Sequence, residues 1–194
     1  MKDDKPLNCG VRQVAPTPDG IKHNHVVRYN WASEQIGDHA SVLDVGCGCG
    51  YGASVLRHTQ YLGVDYSQES IDYARKHYGK FGLFSVGDAI EVGGPLDVIV
   101  AFEVIEHVVD PTEALRAWHE ALFPLGELFI SIPIKCRKVA DGHEYHLKDY
   151  TEQTISDALE AAGFTIGDVR YLSTKDTIVE RDKNPYSVLI RAFK

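Results

Sequence analysis

Positive charge is scarce in this chain of 194 residues: 20 Lys and Arg stand against 28 Asp and Glu, a formal charge of -8. A sequence-independent grip on nucleic acid needs several phosphate-neutralising cations, so this balance argues against nucleic acid as a partner. Cysteine is scarce too. Cys9, Cys47, Cys49 and Cys136 have neither zinc-ligand spacing nor the density of a disulfide scaffold, and they read as reduced thiols, with Cys47 and Cys49 packed in a loop. No apolar run approaches the roughly 20 residues of a membrane span, and Met1-Lys2-Asp3-Asp4-Lys5 is not followed by a signal-peptide core. The expectation is a soluble, cytoplasmic protein with no membrane partner. Internal repeats and low-complexity tracts are absent, and 44% apolar content suits one sizeable core, hence one domain over residues 1–194.

What the chain does have is a glycine cluster after a buried strand. Ser41-Val42-Leu43-Asp44-Val45 is an apolar, β-branched run, and it stops at Gly46-Cys47-Gly48-Cys49-Gly50. Helical spacing then resumes, so the segment reads as strand, tight turn and helix, the helix covering residues 51–59. Glycines there allow positive φ and close approach of a ligand to the backbone, with turn amides expected to converge on one spot. Asp44 beside the first glycine repels phosphate and favours a cationic or hydroxyl-bearing ligand. Three further strands end in polar groups: Tyr61-Leu62-Gly63-Val64 in Asp65, residues 81–86 in Gly87-Asp88-Ala89, and residues 96–101 in Phe102-Glu103. Four such ends make one ligand crevice.

The D-V-G-C-G-x-G loop, the acid ending strand two, the G-D-A after strand three and the F-E-V-I-E-H after strand four resemble the class I S-adenosylmethionine-dependent methyltransferases over residues 41–164. The resemblance implies S-adenosyl-L-methionine as cofactor, with its amino-acid moiety near Asp44 and Gly46, its ribose on Asp65 and its adenine between Tyr66 and Asp88-Ala89. Cys47, Gly48 and Phe102 complete the expected lining. The fold to expect is α/β: a Rossmann-like, seven-stranded, mostly parallel sheet with helices on both faces and an antiparallel last strand. Residues 1–40 would form a lead-in and a lid helix over 21–36. That helix carries His23, His25, Arg28 and Tyr29 as a solvated polar face with packed aromatics, or with Arg28 and Tyr29 closing over the methionine end of the cofactor.

Helices are expected over residues 67–78, 112–123 and 152–162, and strands over 127–132, 164–172 and 187–193, the last two separated by a charged loop. Residues 133–150 lack periodicity and read as a substrate-loop insertion at the ligand edge.

If a helical turn follows strand four, Glu103, Glu106 and His107 fall at i, i+3 and i+4 on one face. Two carboxylates and an imidazole suit Mg²⁺, Mn²⁺ or Zn²⁺. The same E-x-x-E-H element occurs in ubiquinone-pathway O-methyltransferases and in metal-dependent small-RNA 3′-terminal 2′-O-methyltransferases. The later His146-Leu147-Lys148-Asp149-Tyr150-Thr151 is similar to the segment that supplies a further histidine in the RNA enzymes. His146 is then a fourth ligand and His143 a possible base, with Glu106 the remaining catalytic candidate. Metal-free relatives use such a segment as local support for the crevice, and the histidines of 143–146 also suit substrate binding or loop capping. The function expected is O-methylation of a small hydroxylated molecule, with or without a metal. The alternatives are terminal RNA 2′-O-methylation and a non-catalytic, cofactor-binding regulatory module.

Overall fold

The computed structural model describes residues 13–134, 147–182 and 185–194. Among these, eight strands form one sheet in the order β3-β2-β1-β4-β5-β8-β6-β7. They are β1 (Ser41–Val45), β2 (Gln60–Asp65), β3 (Leu83–Val86), β4 (Leu96–Phe102), β5 (Leu122–Pro133), β6 (Thr165–Leu172), β7 (Ile178–Val179) and β8 (Ser187–Phe193). Strands β1 to β5 pair in parallel, and β8 runs antiparallel between β5 and β6. The mostly parallel sheet with a reversed last strand is as expected. The count is one higher than seven, because β7 forms inside the stretch read as a charged loop, where Ile178 and Val179 pair with Leu172 and Tyr171 of β6.

Side-chain alternation divides the core between two faces. Val42, Val98, Val100 and Phe129 pack with α1 (His23–Ser33) and α2 (Gln68–Tyr78). Leu43, Ile99, Leu128 and Ile130 pack with α3 (Pro111–Ala121) and α4 (Glu152–Ala161). The helices begin where the sequence signals them: Ser67 Oγ accepts from Ser70 N at 3.3 Å, and Asp110 Oδ1 accepts from Glu113 N at 3.0 Å ahead of Pro111. Thr151 and Thr154 form a reciprocal capping box. α1 docks firmly, burying Arg28, Tyr29, Trp31, Ala32 and Ser33, with Trp31 edge-on to Phe129 at 5.4 Å.

The helix expected over residues 51–59 is a correction: only a 3-10 turn forms, Tyr51–Ser54. Its continuation is intercepted by α1. Ser33 Oγ donates to Val55 O at 2.8 Å and accepts from Arg57 N at 3.0 Å, so the backbone groups that would extend the helix are already engaged.

β3 forms one edge of the sheet. Gly87 N, just beyond it, donates inward to Asp65 O, and strand alternation therefore turns the Phe84 carbonyl outward. Arg75 from α2 covers that carbonyl with two donors, Nε at 3.0 Å and Nη2 at 2.8 Å.

Candidate active site

The crevice lies along the C-terminal edge of the parallel strands and has two halves. In the first, the glycine loop is knitted to β2. Gly46 N and Cys47 N both donate to Val64 O, at 2.7 and 3.0 Å, while Gly48 N donates to Asp65 Oδ2 at 3.0 Å and Gly50 N to Cys47 O at 3.0 Å. The expected convergence of loop amides on a ligand does not hold for Gly46, Cys47, Gly48 and Gly50, whose amides are spent inside the protein. Gly46, Gly48 and Gly50 adopt positive φ of 69°, 54° and 86°. At Gly50 a Cβ would strike Ala74 Cβ at 2.6 Å, whereas at Gly48 it would meet nothing within 4 Å, leaving that turn open to a ligand.

Asp65 is buried at the end of β2. Its Oδ1 accepts from Ser67 N at 2.9 Å and its Oδ2 from Gly48 N. Tyr66 beside it is exposed, as is Asp88, while Ala89 is half-buried and its carbonyl is fixed by Trp118 Nε1 at 2.7 Å. Phe102 is half-buried and stacks edge-on to Tyr29 at 5.0 Å. An open glycine turn, a fixed carboxylate and an exposed ring fit a nucleoside bearing free ribose hydroxyls.

Asp44 sits beneath this half and is fully buried. Tyr61 Oη donates to its Oδ2 at 2.6 Å, and Tyr29 Oη donates to both oxygens at 3.2 and 3.1 Å. Burial pushes the Asp44 carboxyl up to about 7 against the lowering effect of those hydroxyls. The residue therefore fastens α1 and β2 to the loop and does not reach the crevice surface.

The second half is built on the ends of β4, β5 and β8. Glu103 follows β4 with φ of +56°, a left-handed conformation that glutamate rarely adopts. Its amide donates to Ser131 O at 2.9 Å, and its Oε1 accepts from Ser131 Oγ at 3.0 Å. The same oxygen lies 3.4 Å from Arg28 Nη2, which also donates to Ser187 Oγ at 3.1 Å. Arg28, Ser131 and Ser187 are all buried. The left-handed turn breaks the helical relation expected of residues 103, 106 and 107. Only a 3-10 turn, Ile105–His107, carries Glu106 and His107. Among the described residues, no group of three or more His, Cys, Asp or Glu forms that could hold a metal ion. Glu103 finds its cation in Arg28 instead.

Glu106 is 2% exposed, its Oε1 is 3.9 Å from His107 Nε2, and its Oε2 has no hydrogen-bond partner among the described residues. Burial, and then the Glu103 charge, raise its proton affinity well above that of an ordinary glutamate. Tyr150 Oη and Arg28 Nε are likewise buried without partners among the described residues. Each such group typically costs about 1–3 kcal/mol. His25 is held neutral, lowered to about 4 by burial and by the charges of Arg28 and Lys22.

The structure thus brings Tyr29, Asp44, Gly46, Cys47, Gly48, Asp65 and Phe102 around one loop, and places Glu103, Glu106 and His107 on the neighbouring strand end. His143 and His146 lie outside the described residues, as do Cys9 and Cys136. Sequence reading missed Ser131 and Ser187. The available signal was a lone hydroxyl in each of two apolar strands, Leu-Phe-Ile-Ser-Ile and Ser-Val-Leu-Ile.

Residues 25–169 match the family model described as "Methyltransferase domain". A ubiquinone biosynthesis O-methyltransferase from Pseudomonas paraeruginosa is 33% identical over 115 residues, 54% of this chain and 50% of that protein. A probable S-adenosylmethionine-dependent methyltransferase from Mycolicibacterium smegmatis is 28% identical over 66% of this chain and 52% of its own length. The chain spans about half the length of these relatives. Among solved structures, a Thermotoga maritima S-adenosylmethionine-dependent methyltransferase described as a possible histamine N-methyltransferase superposes with a TM-score of 0.73 at 21% identity, covering 89% of this chain and 90% of that one. Magnesium protoporphyrin IX methyltransferase from Synechocystis, solved with bound S-adenosylhomocysteine, gives 0.67 at 19% identity over 89% and 83%. With the strand order, the glycine loop and Asp65, these matches establish that the chain belongs to the class I S-adenosylmethionine-dependent methyltransferases.

Proposed function

We propose that this protein transfers the methyl group of S-adenosyl-L-methionine to a hydroxyl of a small molecule. The observation that carries the reading is the buried Glu106 carboxyl, whose Oε2 is unpartnered among the described residues and which lies one strand from the nucleoside half of the crevice. The cofactor supplies an electrophilic methyl group, and sulfur keeps the bonding electron pair when that group leaves. This chain's residues do the rest. Asp65 binds the ribose hydroxyls, Tyr66 and Ala89 flank the base, and the Gly46–Gly48 turn admits the cofactor backbone-close. Arg28, Ser131 and Ser187 fix Glu103, and Glu106 receives the acceptor's proton, which its raised affinity favours. The 33% identity to an O-methyltransferase supports oxygen as the acceptor. Glu103 already pairs with Arg28, and the donors among the described residues do not fit a metal centre.

Release of S-adenosylhomocysteine across a panel of hydroxyl compounds, with and without short RNA and with and without chelator, tests this reading. Turnover on small hydroxyl compounds in the presence of chelator is expected. Turnover confined to RNA, or abolished by chelator, defeats it, as does cofactor binding with no turnover on any compound. Asp65→Ala should weaken cofactor binding by about 1–3 kcal/mol in calorimetry, because the ribose hydroxyls lose a charged acceptor.

A further inference from the structure

The two halves of the crevice meet where Val104 lies on Gly46. A Cβ at Gly46 would stand 2.5 Å from Val104 Cγ2 and 3.5 Å from its Cγ1, so the valine methyls fill the space that any larger loop residue would need. Both sides of this contact are fastened. Gly46 N donates to Val64 O at 2.7 Å, and Glu103, the residue before Val104, donates its amide to Ser131 O at 2.9 Å. The Val104 carbonyl accepts from His107 N at 2.9 Å and closes the turn that carries Glu106. That turn is held again from outside, because Glu106 O accepts from Leu147 N and Lys148 N at 3.0 and 3.3 Å. A β-branched side chain has little rotamer freedom, so Val104 transmits the spacing of the backbone on either side of it.

We propose that Val104 is a positioning residue for methyl transfer: seated on Gly46, it sets the distance between the loop that admits the donor and the turn that carries Glu106. The inference rests on the methyl-transfer reading above. In that reaction the methyl–sulfur bond breaks with its electrons on sulfur, the acceptor oxygen bonds the methyl carbon, and the oxygen's proton passes to Glu106. Donor carbon, oxygen and carboxylate must share one geometry, and a misplacement of about 1 Å in such an arrangement costs on the order of 100-fold in rate. Asp65 and Tyr66 hold the donor at the end of β2, separated from β4 by β1, so a change at Val104 acts on transfer and spares donor binding. The left-handed backbone of Glu103 gains a purpose as well, since the chain leaves β4 through that residue and Val104 is the first after it.

The test compares Val104→Ala with Val104→Thr, using S-adenosylmethionine and the hydroxyl compound of the panel above, phenol and benzyl alcohol included, that the wild-type protein turns over fastest. Val104→Ala should lower kcat by about tenfold to 100-fold, with the S-adenosylmethionine KM and the S-adenosylhomocysteine Kd within about twofold of wild type. Val104→Thr keeps the branch at Cβ and should hold kcat within about threefold of wild type. Wild-type kcat in Val104→Ala overturns the inference, and so does an equal loss of kcat in both variants. A fall in kcat matched by an equal loss of S-adenosylhomocysteine affinity overturns it too, since Val104 would then only support the loop. Should Val104→Ala fail to fold, Val104→Ile replaces it: the longer side chain should lower kcat with donor binding intact, and kcat equal to that of Val104→Thr overturns the inference. Wild-type protein that binds S-adenosylhomocysteine yet turns over no compound of the panel removes the methyl-transfer reading and the inference with it.

Discussion

The two halves of the crevice solve opposite problems. Around the glycine loop the polar groups are matched inside the protein: the loop amides go to Val64, Asp65 and Cys47, and the Asp44 oxygens to Tyr29 and Tyr61. At the ends of β4, β5 and β8, three buried polar atoms, Arg28 Nε, Glu106 Oε2 and Tyr150 Oη, have no partner among the described residues. A half that is complete without ligand is preorganised, and binding there costs little reordering. A half with orphaned groups is stabilised when a ligand of matching polarity arrives, which makes it the discriminating half.

The largest way to break this contrast is Arg28→Ala. It leaves Glu103 in a left-handed turn without its cation, and it should destabilise the protein by about 3–5 kcal/mol, toward the lower end because Glu103 is 23% exposed. Urea unfolding measures this, and replacing Arg28 and Glu103 together by methionine should recover part of the loss. Equal stability of Arg28→Ala and wild type would remove the ion pair from the account of this half.

A smaller effect is expected in the complete half. A Cβ at Gly52 would lie 2.4 Å from Tyr29 Cε1 and 2.7 Å from Asp44 Oδ2. Gly52→Ala should therefore cost about 1–3 kcal/mol of stability and weaken cofactor binding in parallel, because it prises α1 from the loop. Tyr150→Phe should do neither, which sharpens the contrast within one pair of measurements.

The mildest perturbation is pH. Asp44 binds its proton more tightly folded, at about 7, than a free aspartate does at 3.8. The unfolded chain releases the proton first, so this residue's stabilisation is full below about pH 4 and is lost as pH rises through 7. Asp44→Asn keeps the site neutral at every pH and should flatten that decline in urea titrations between pH 5 and 8. The slope that remains is assigned to Glu106, whose shift has the same sign. An unchanged slope in Asp44→Asn would show that the buried aspartate is already ionised.

The same division governs how much was legible from sequence. Signals local to the chain transferred well: the run ending at Gly46, the acid ending β2, the Ser67 cap, Pro111 opening α3 and β8 at residues 187–193 each depend on near neighbours. The helix expected over 51–59 failed because Ser33, more than 20 residues upstream, takes its backbone groups. The helical face of Glu103, Glu106 and His107 failed because Ser131 and Arg28 hold Glu103 in a turn that local preference disfavours. Arg28 and Ser187 meet across 159 positions, and nothing in either neighbourhood announces the other. Strand ends and caps set by adjacent residues could be read, and the contacts assembled from α1, β4, β5 and β8 could not.

Arg75 has a consequence beyond the crevice. A free sheet edge offers its outward carbonyls to any extended chain, and here Leu83 and Val86 of β3 are exposed on that edge. With the Phe84 carbonyl capped by a guanidinium, an incoming strand loses a rung in the middle of its ladder and meets a charge there. One arginine thus makes the β3 edge a poorer template for a second copy of the chain, at the side of the sheet away from the Glu103 and Glu106 strand end.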